Sequence, residues 1–149
     1  MRIPVKYGLL ITLGVIAWVV VAHLLVPDPR SPVHNVGAGI FFNLLEIAGV
    51  FLAINTTKNE SGNQFSFKSG LKTGMATAFV YAVSSCLFFL VVILAVGTKL
   101  MASEPGVENM PAWQVAVGAF VGLGGFALLF GLIYSTLISF FLAKRPSAN

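Results

Sequence analysis

Residues 73–98 read TGMATAFVYAVSSCLFFLVVILAVGT, and no side chain in the run carries a charge. The hydrocarbon core of a bilayer is about 30 Å thick, and about 20 apolar residues wound as helix cross it. The run therefore predicts a membrane span over residues 74–96. Working outward, residues 7–27 and 109–143 are also free of charge, and residues 31–57 carry Glu46 alone. These runs predict three more spans, at 8–26, 36–54 and 115–142. A membrane β-barrel would need segments of alternating apolar and polar residues, and no such register recurs. Backbone groups in lipid must be hydrogen-bonded within their own segment, which leaves helices. The expected fold is all-α: one domain, residues 1–149, built as an integral-membrane four-helix bundle.

Composition agrees. Charged residues make up 9% of the chain, against about 25% in an ordinary globular domain. Hydrophobic residues make up 57%, and the mean hydropathy is +0.91. A water-soluble chain this short has a large surface for its volume, and nine Lys/Arg with five Asp/Glu cannot cover it. A soluble enzyme, a nucleic-acid-binding domain and a disordered tail are all excluded. The basic residues punctuate the chain and form no patch.

The connections fit four spans. Pro27-Asp28-Pro29-Arg30-Ser31-Pro32 is a stiff, non-helical hairpin. Asn59-Glu60-Ser61-Gly62-Asn63 is a polar turn, and Glu104-Pro105-Gly106 breaks the chain again. Arg2, Lys6, Lys58, Lys68, Lys72, Lys144 and Arg145 fall at one end of the bundle, whereas Arg30 and Lys99 fall at the other. Seven against two predicts cytoplasmic termini and a cytoplasmic 55–73 loop, in a bacterial inner membrane. Trp113 then belongs at the outer interface and Tyr7 at the inner one. A signal peptide is the competing reading of the first span, with Val20-Val21-Ala22 as a passable cleavage site. The retained four-helix arrangement is the expectation.

Lipid is as apolar as leucine, so membrane helices associate through close packing of small residues and a few polar contacts. The third span has a ridge at spacing four: Gly70, Gly74, Ala78, Ala82 and Cys86. The fourth has Gly118 and Gly122, then Gly125 and Gly131, so these two ridges are expected to meet. Gly39 is assigned to packing on the second span. The Gly122-Leu123-Gly124-Gly125 cluster has no preceding strand and no following Lys, so it is no nucleotide loop. The fourth span exceeds the bilayer core, which predicts tilt, a kink at Gly124-Gly125, or exit into the cytoplasm. Ser66 is an N-cap candidate that would start the third helix at Phe67. Lys68 and Lys72 would then meet lipid headgroups on an amphipathic entry turn. The lone Cys86 reads as a small core residue. Asn55-Thr56-Thr57 matches a glycosylation sequon by chance.

Glu46 is the one acid within a span, ten residues from Val36 and eight from Ile54, hence near the bilayer centre. Insertion scales charge about 3 kcal/mol for an acid there, so it needs a partner or a proton. Asn43 and Gly39 share its helix face, which is expected to point into protein. Ser84, Ser85 and Tyr81 are the candidate partners. One reading is structural hydrogen bonding between helices, in which Glu46→Leu would cost about 1–2 kcal/mol through unpaired partners. The other is a proton, cation or quinone-type site. His23 and His34 flank the first hairpin and are weak candidates for a metal or haem. No Ser/His/Asp set, paired carboxylates or Cys cluster occurs in the chain. The sequence therefore assigns no catalytic residue and no cofactor.

Lys6-Tyr7-Gly8-Leu9 enters the first span, and Phe65-Ser66-Phe67-Lys68-Ser69-Gly70-Leu71-Lys72-Thr73-Gly74 enters the third. The fourth contains Gly131-Leu132-Ile133 and closes on Lys144-Arg145. Together these features resemble the small bacterial four-helix membrane proteins of domain-of-unknown-function family 4199. The resemblance implies a four-helix membrane architecture across nearly the whole chain, and no activity or site residue. The functional expectation is a non-enzymatic accessory or structural subunit of a larger inner-membrane assembly. Its partners would be membrane lipids and other subunits or further copies of itself, without nucleic acid. The alternative is a small oligomeric transporter or channel using Glu46 as its coupling acid.

Overall fold

The computed structural model describes residues 2–26, 28, 31–96 and 110–144. Four helices hold most of them: α1 (Ile3–Leu25), α2 (Ala38–Ser61), α3 (Phe67–Val96) and α4 (Ala112–Lys144). No strand occurs among the described residues. All four helices are long and apolar enough to cross a membrane. The all-α four-helix architecture is the one expected, and the helix limits are wider than the spans at 8–26, 36–54, 74–96 and 115–142. Hydropathy marks only the part of a helix that lies in lipid. The helices continue as polar turns through residues of good helix propensity, such as Lys58, Glu60, Lys68 and Lys72.

The expected 55–73 loop consequently shrinks to a tight turn. α2 runs to Ser61, a 3-10 turn spans Gly62–Gln64, and α3 begins at Phe67. Gly62 stops α2 at φ 52, a left-handed conformation that glycine enters without a Cβ penalty, and its N–H bonds to the Lys58 carbonyl. Ser66 caps α3 as read from the sequence: its Oγ accepts the Ser69 N–H at 3.2 Å. At the other end of the bundle a π-helical turn, Val33–Gly37, leads into α2. Pro27, Pro29, Arg30, Lys99, Glu104-Pro105-Gly106 and Arg145 lie outside the described residues.

α3 and α4 contain 30 and 33 residues. At 1.5 Å per residue these are about 45 Å and about 50 Å long, against a core of about 30 Å. α4 passes through Gly124-Gly125 as continuous helix. α3 is the central element, packing most extensively on α4 and also on α1 and α2. α2 touches α1, α3 and α4, so α1 and α4 flank the α2–α3 pair.

The α3–α4 seam is set by small residues on both sides. A β-carbon on Gly70 would stand 2.6 Å from Ser139 Oγ, one on Gly74 would meet Ser135, and one on Gly131 would meet the Ala78 methyl. Ala82 shares a buried cluster with Ala127, and Gly124 faces Cys86 Sγ. The α3 ridge is thus the one expected, but of the expected α4 ridge only Gly131 meets it. The α4 face consists of Gly124, Ala127, Gly131, Ser135 and Ser139. Around Gly118, Gly122 and Gly125 no described atom lies within 4 Å of an added β-carbon. Gly122 is nine residues from Gly131, about 2.5 helical turns, and so faces the opposite side. Gly39 is corrected in the same way, being exposed with nothing within 4 Å.

α1 is held by contacts that no ridge announced. A β-carbon on Gly8 would stand 2.7 Å from Val80 and 2.9 Å from the Thr77 carbonyl, and Gly49 is filled by Ile11. Thr12 Oγ1 lies 2.6 Å from Ser84 Oγ and 3.4 Å from Ser85 Oγ, tying α1 to α3. Thr12→Val keeps the shape and removes the hydroxyl. It is expected to lower stability by about 1 kcal/mol in reversible detergent unfolding. An unchanged unfolding midpoint would show that the hydroxyl cluster contributes nothing.

Candidate functional site: the intramembrane cluster at Glu46

Glu46 is 3% exposed, on the face of α2 that meets α3 and α4. Its Oε1 is buried, has no hydrogen-bond partner, and lies 3.0 Å from where a β-carbon of Gly131 would stand. The expected bond to a neighbouring helix is therefore missing at this atom. The reason lies in α4, which presents a glycine at the contact and has no side chain to offer there.

Ser84 and Ser85, expected as partners, are engaged by Thr12. Tyr81 of α3 does lie within electrostatic reach of Glu46, as does Tyr134 of α4. The Tyr134 hydroxyl donates to Asn43 Oδ1 at 2.9 Å, and Asn43 Nδ2 donates to the Gly39 carbonyl at 2.7 Å. Asn43 and Glu46 thus belong to one polar cluster, while Gly39 contributes only its backbone. The shared face turns from protein at Glu46 to half-buried at Asn43 and exposed at Gly39.

Ser135 and Ser139 continue the cluster along α4. Both are 0% exposed, and both hydroxyl oxygens are buried without a partner. Ser135 lies against Gly74 and Ser139 against Gly70, one turn and two turns from Gly131. Sequence reasoning missed them, and also Tyr134. The signal was available as Gly131, Ser135 and Ser139 recurring at spacing four, with the two serines following the last glycine of the expected ridge. Trp18 was missed as well. Its ring stacks on Phe41 at 4.4 Å, and its Nε1 is buried without a partner.

The remaining candidates sit apart from this cluster. Lys68 and Lys72 are exposed on the first turns of α3, beside the half-exposed Phe67. His34 Nε2 donates to the Val26 carbonyl at 2.8 Å, a tie across the first hairpin, and His23 is exposed. No group of three or more His, Cys, Asp or Glu that could hold a metal occurs among the described residues. Cys86 is buried on the α3–α4 seam, its Sγ 3.9 Å from the Phe120 carbonyl. Lys58 Nζ donates to the Leu142 carbonyl at 2.9 Å, joining the end of α2 to the last turn of α4. A cation is favourable there because the last carbonyls of a helix carry partial negative charge. Lys58→Met is expected to fray α4, read as faster amide exchange beyond Leu142 with the helix centre unchanged. Equal exchange in both proteins would remove the clamp from the account.

Four apolar helices that pack on one another through glycine, alanine and serine, with an acid buried between them, define a multi-pass integral membrane protein. The chain belongs to the family described as "Protein of unknown function (DUF4199)", whose model matches residues 6–104. The match covers α1 from residue 6 onward and all of α2 and α3. The Gly131-Leu132-Ile133 feature of α4 lies beyond it. No curated protein matches the chain, and no solved structure matches it.

Proposed function

We propose that the protein is a non-enzymatic membrane subunit that works by associating with other membrane-embedded chains. The observation that carries this reading is the state of α4. It is the least enclosed of the four spans, and its Gly118, Gly122 and Gly125 are unfilled among the described residues. Glycines spaced in this way let a second helix approach closely in lipid, where small-residue faces are the usual helix contacts. The partner class is another apolar helix, from a second subunit or a further copy. Membrane lipid covers the rest of the surface, and nucleic acid has no place in this reading.

Purification from the native membrane in mild detergent tests it. The protein is expected to run as a defined complex, and Gly118→Leu with Gly122→Leu to disperse that complex while helicity and melting stay unchanged. A wild-type monomer, or a complex indifferent to both substitutions, would sink the reading. The proposed setting is a bacterial inner membrane with both termini cytoplasmic, since the basic residues gather at that end. Cysteine probes at 28–34 and 101–110 should label from outside intact cells. Labelling at 60–64 would reverse the orientation.

One observation favours a second reading, in which Glu46 is the coupling acid of a small oligomeric transporter or channel. A purely structural carboxyl would be hydrogen-bonded, and Glu46 Oε1 is not. Buried polar groups left unpaired cost stability, and natural proteins retain them where a site needs them.

A further inference from the structure

The α3–α4 seam contains more unpaired polarity than helix packing requires. Three side-chain oxygens there, the first reaching the seam from α2, are buried without a partner: Glu46 Oε1, Ser135 Oγ and Ser139 Oγ. Their residues are 3%, 0% and 0% exposed. They are not scattered. Glu46 Oε1 lies over Gly131, and Ser135 and Ser139 follow at four-residue intervals on the same face of α4. Four residues of helix rise about 6 Å, so successive positions of the file lie about one turn apart. One water between neighbours, held by two O–H···O bonds of about 2.7 Å, would bridge most of that separation. Opposite each serine α3 carries a glycine, Gly74 and Gly70, so hydrogen atoms alone face the hydroxyls from that side. The file points towards the end of the bundle that holds the α2–α3 turn, where Phe65 packs beside Gly70 and Ser139.

We propose that this file is a proton path, giving Glu46 access to the basic end of the bundle through Ser135 and Ser139. The proposal rests on the second reading above, that Glu46 gains and loses a proton. Hydroxyls and water suit the task because each oxygen can accept one proton and release another, so charge crosses apolar surroundings without a carrier moving. In the direction away from Glu46 the carboxyl O–H bond breaks and a water between Glu46 and Ser135 takes the proton. The water passes one of its own protons to Ser135 Oγ, whose original proton leaves towards Ser139. Reversal restores the carboxyl, with no electron transferred and no other reactant. The titratable groups within electrostatic reach of Glu46 are Tyr81 on α3 and Tyr134 on α4. Neither carries positive charge, so no described cation holds the carboxyl ionised. At the other seam of α3, the hydroxyls of Thr12, Ser84 and Ser85 bond one another and form no comparable file.

Infrared spectroscopy of the full-length protein in lipid tests both layers. The wild type is expected to show a protonated-carboxyl band that is absent from Glu46→Gln and shifts on transfer to heavy water. Ser135→Ala with Ser139→Ala should slow that shift at least tenfold. Alanine fits both sites, being smaller than serine, so the fold is retained. Thr12→Val serves as the control for general loosening and should leave the rate within twofold. If the wild type shows no such band, the reading of Glu46 as a proton carrier fails, and the path with it. If the band exchanges at an unchanged rate in the double variant, or Thr12→Val slows it equally, the path alone is overturned.

Discussion

Gly131→Leu is expected to abolish the folded four-helix state. A β-carbon at this position already meets the Ala78 methyl and comes within 3.0 Å of Glu46 Oε1. Three helices converge there, and Ala78, at 0% exposure, has no rotamer by which to yield. Overpacking a close-packed site costs about 1–3 kcal/mol when neighbours can move, and more when backbones must separate. Gly131→Ala is expected at the upper end of that range, and Gly131→Leu beyond it. Ala78→Leu should behave like Gly131→Leu, because it enlarges the same contact from the other side. Gly122→Leu provides the contrast, since it adds bulk to a face with nothing within 4 Å and should leave the monomer intact. Melting in detergent, followed by helicity, separates these outcomes. Wild-type melting for Gly131→Leu would mean that α4 presents another face to α3.

Glu46→Met is expected to stabilise the protein by about 1–3 kcal/mol, the cost of leaving one buried polar group unsatisfied. This reverses the sequence-based expectation that removing the carboxyl would cost about 1–2 kcal/mol. That expectation assumed partners on the neighbouring helices that would be left unpaired. Of the partners it relied on, Ser84 and Ser85 are engaged by Thr12 instead. Methionine matches the length of glutamate and tolerates irregular surroundings. A raised unfolding midpoint in Glu46→Met, together with loss of proton exchange, would mark Glu46 as kept for its chemistry at the expense of stability. A lowered midpoint would return it to a structural role.

Much of the architecture was legible because the bilayer makes it so. Charge-free length gave the four spans, and Ser66 gave the start of α3 through its capping hydroxyl. Gly70, Gly74, Ala78, Ala82 and Cys86 gave one side of the main seam, because spacing four on a helix defines a face. The end of α2 was less legible. Hydropathy falls at Thr56 and Thr57, although the helix continues to Ser61 until Gly62 takes a positive φ.

By itself the sequence determined that this chain has four helices apolar and long enough to cross a membrane, and that one acid lies inside the apolar run of the second. Both follow from quantities local to a segment: length, charge and the obligation of lipid-embedded backbone to bond within itself. Which small residues of α4 meet α3 was not a local quantity. Residues 118–139 hold small residues on opposite sides of one helix, and only the rotation of α4 against α3 selects Gly131, Ser135 and Ser139 over Gly118, Gly122 and Gly125. The same rotation placed a glycine against Glu46 and left its Oε1 unpaired. Tertiary structure decided it because a helix face becomes buried, or bare, only when a neighbouring helix is set against it.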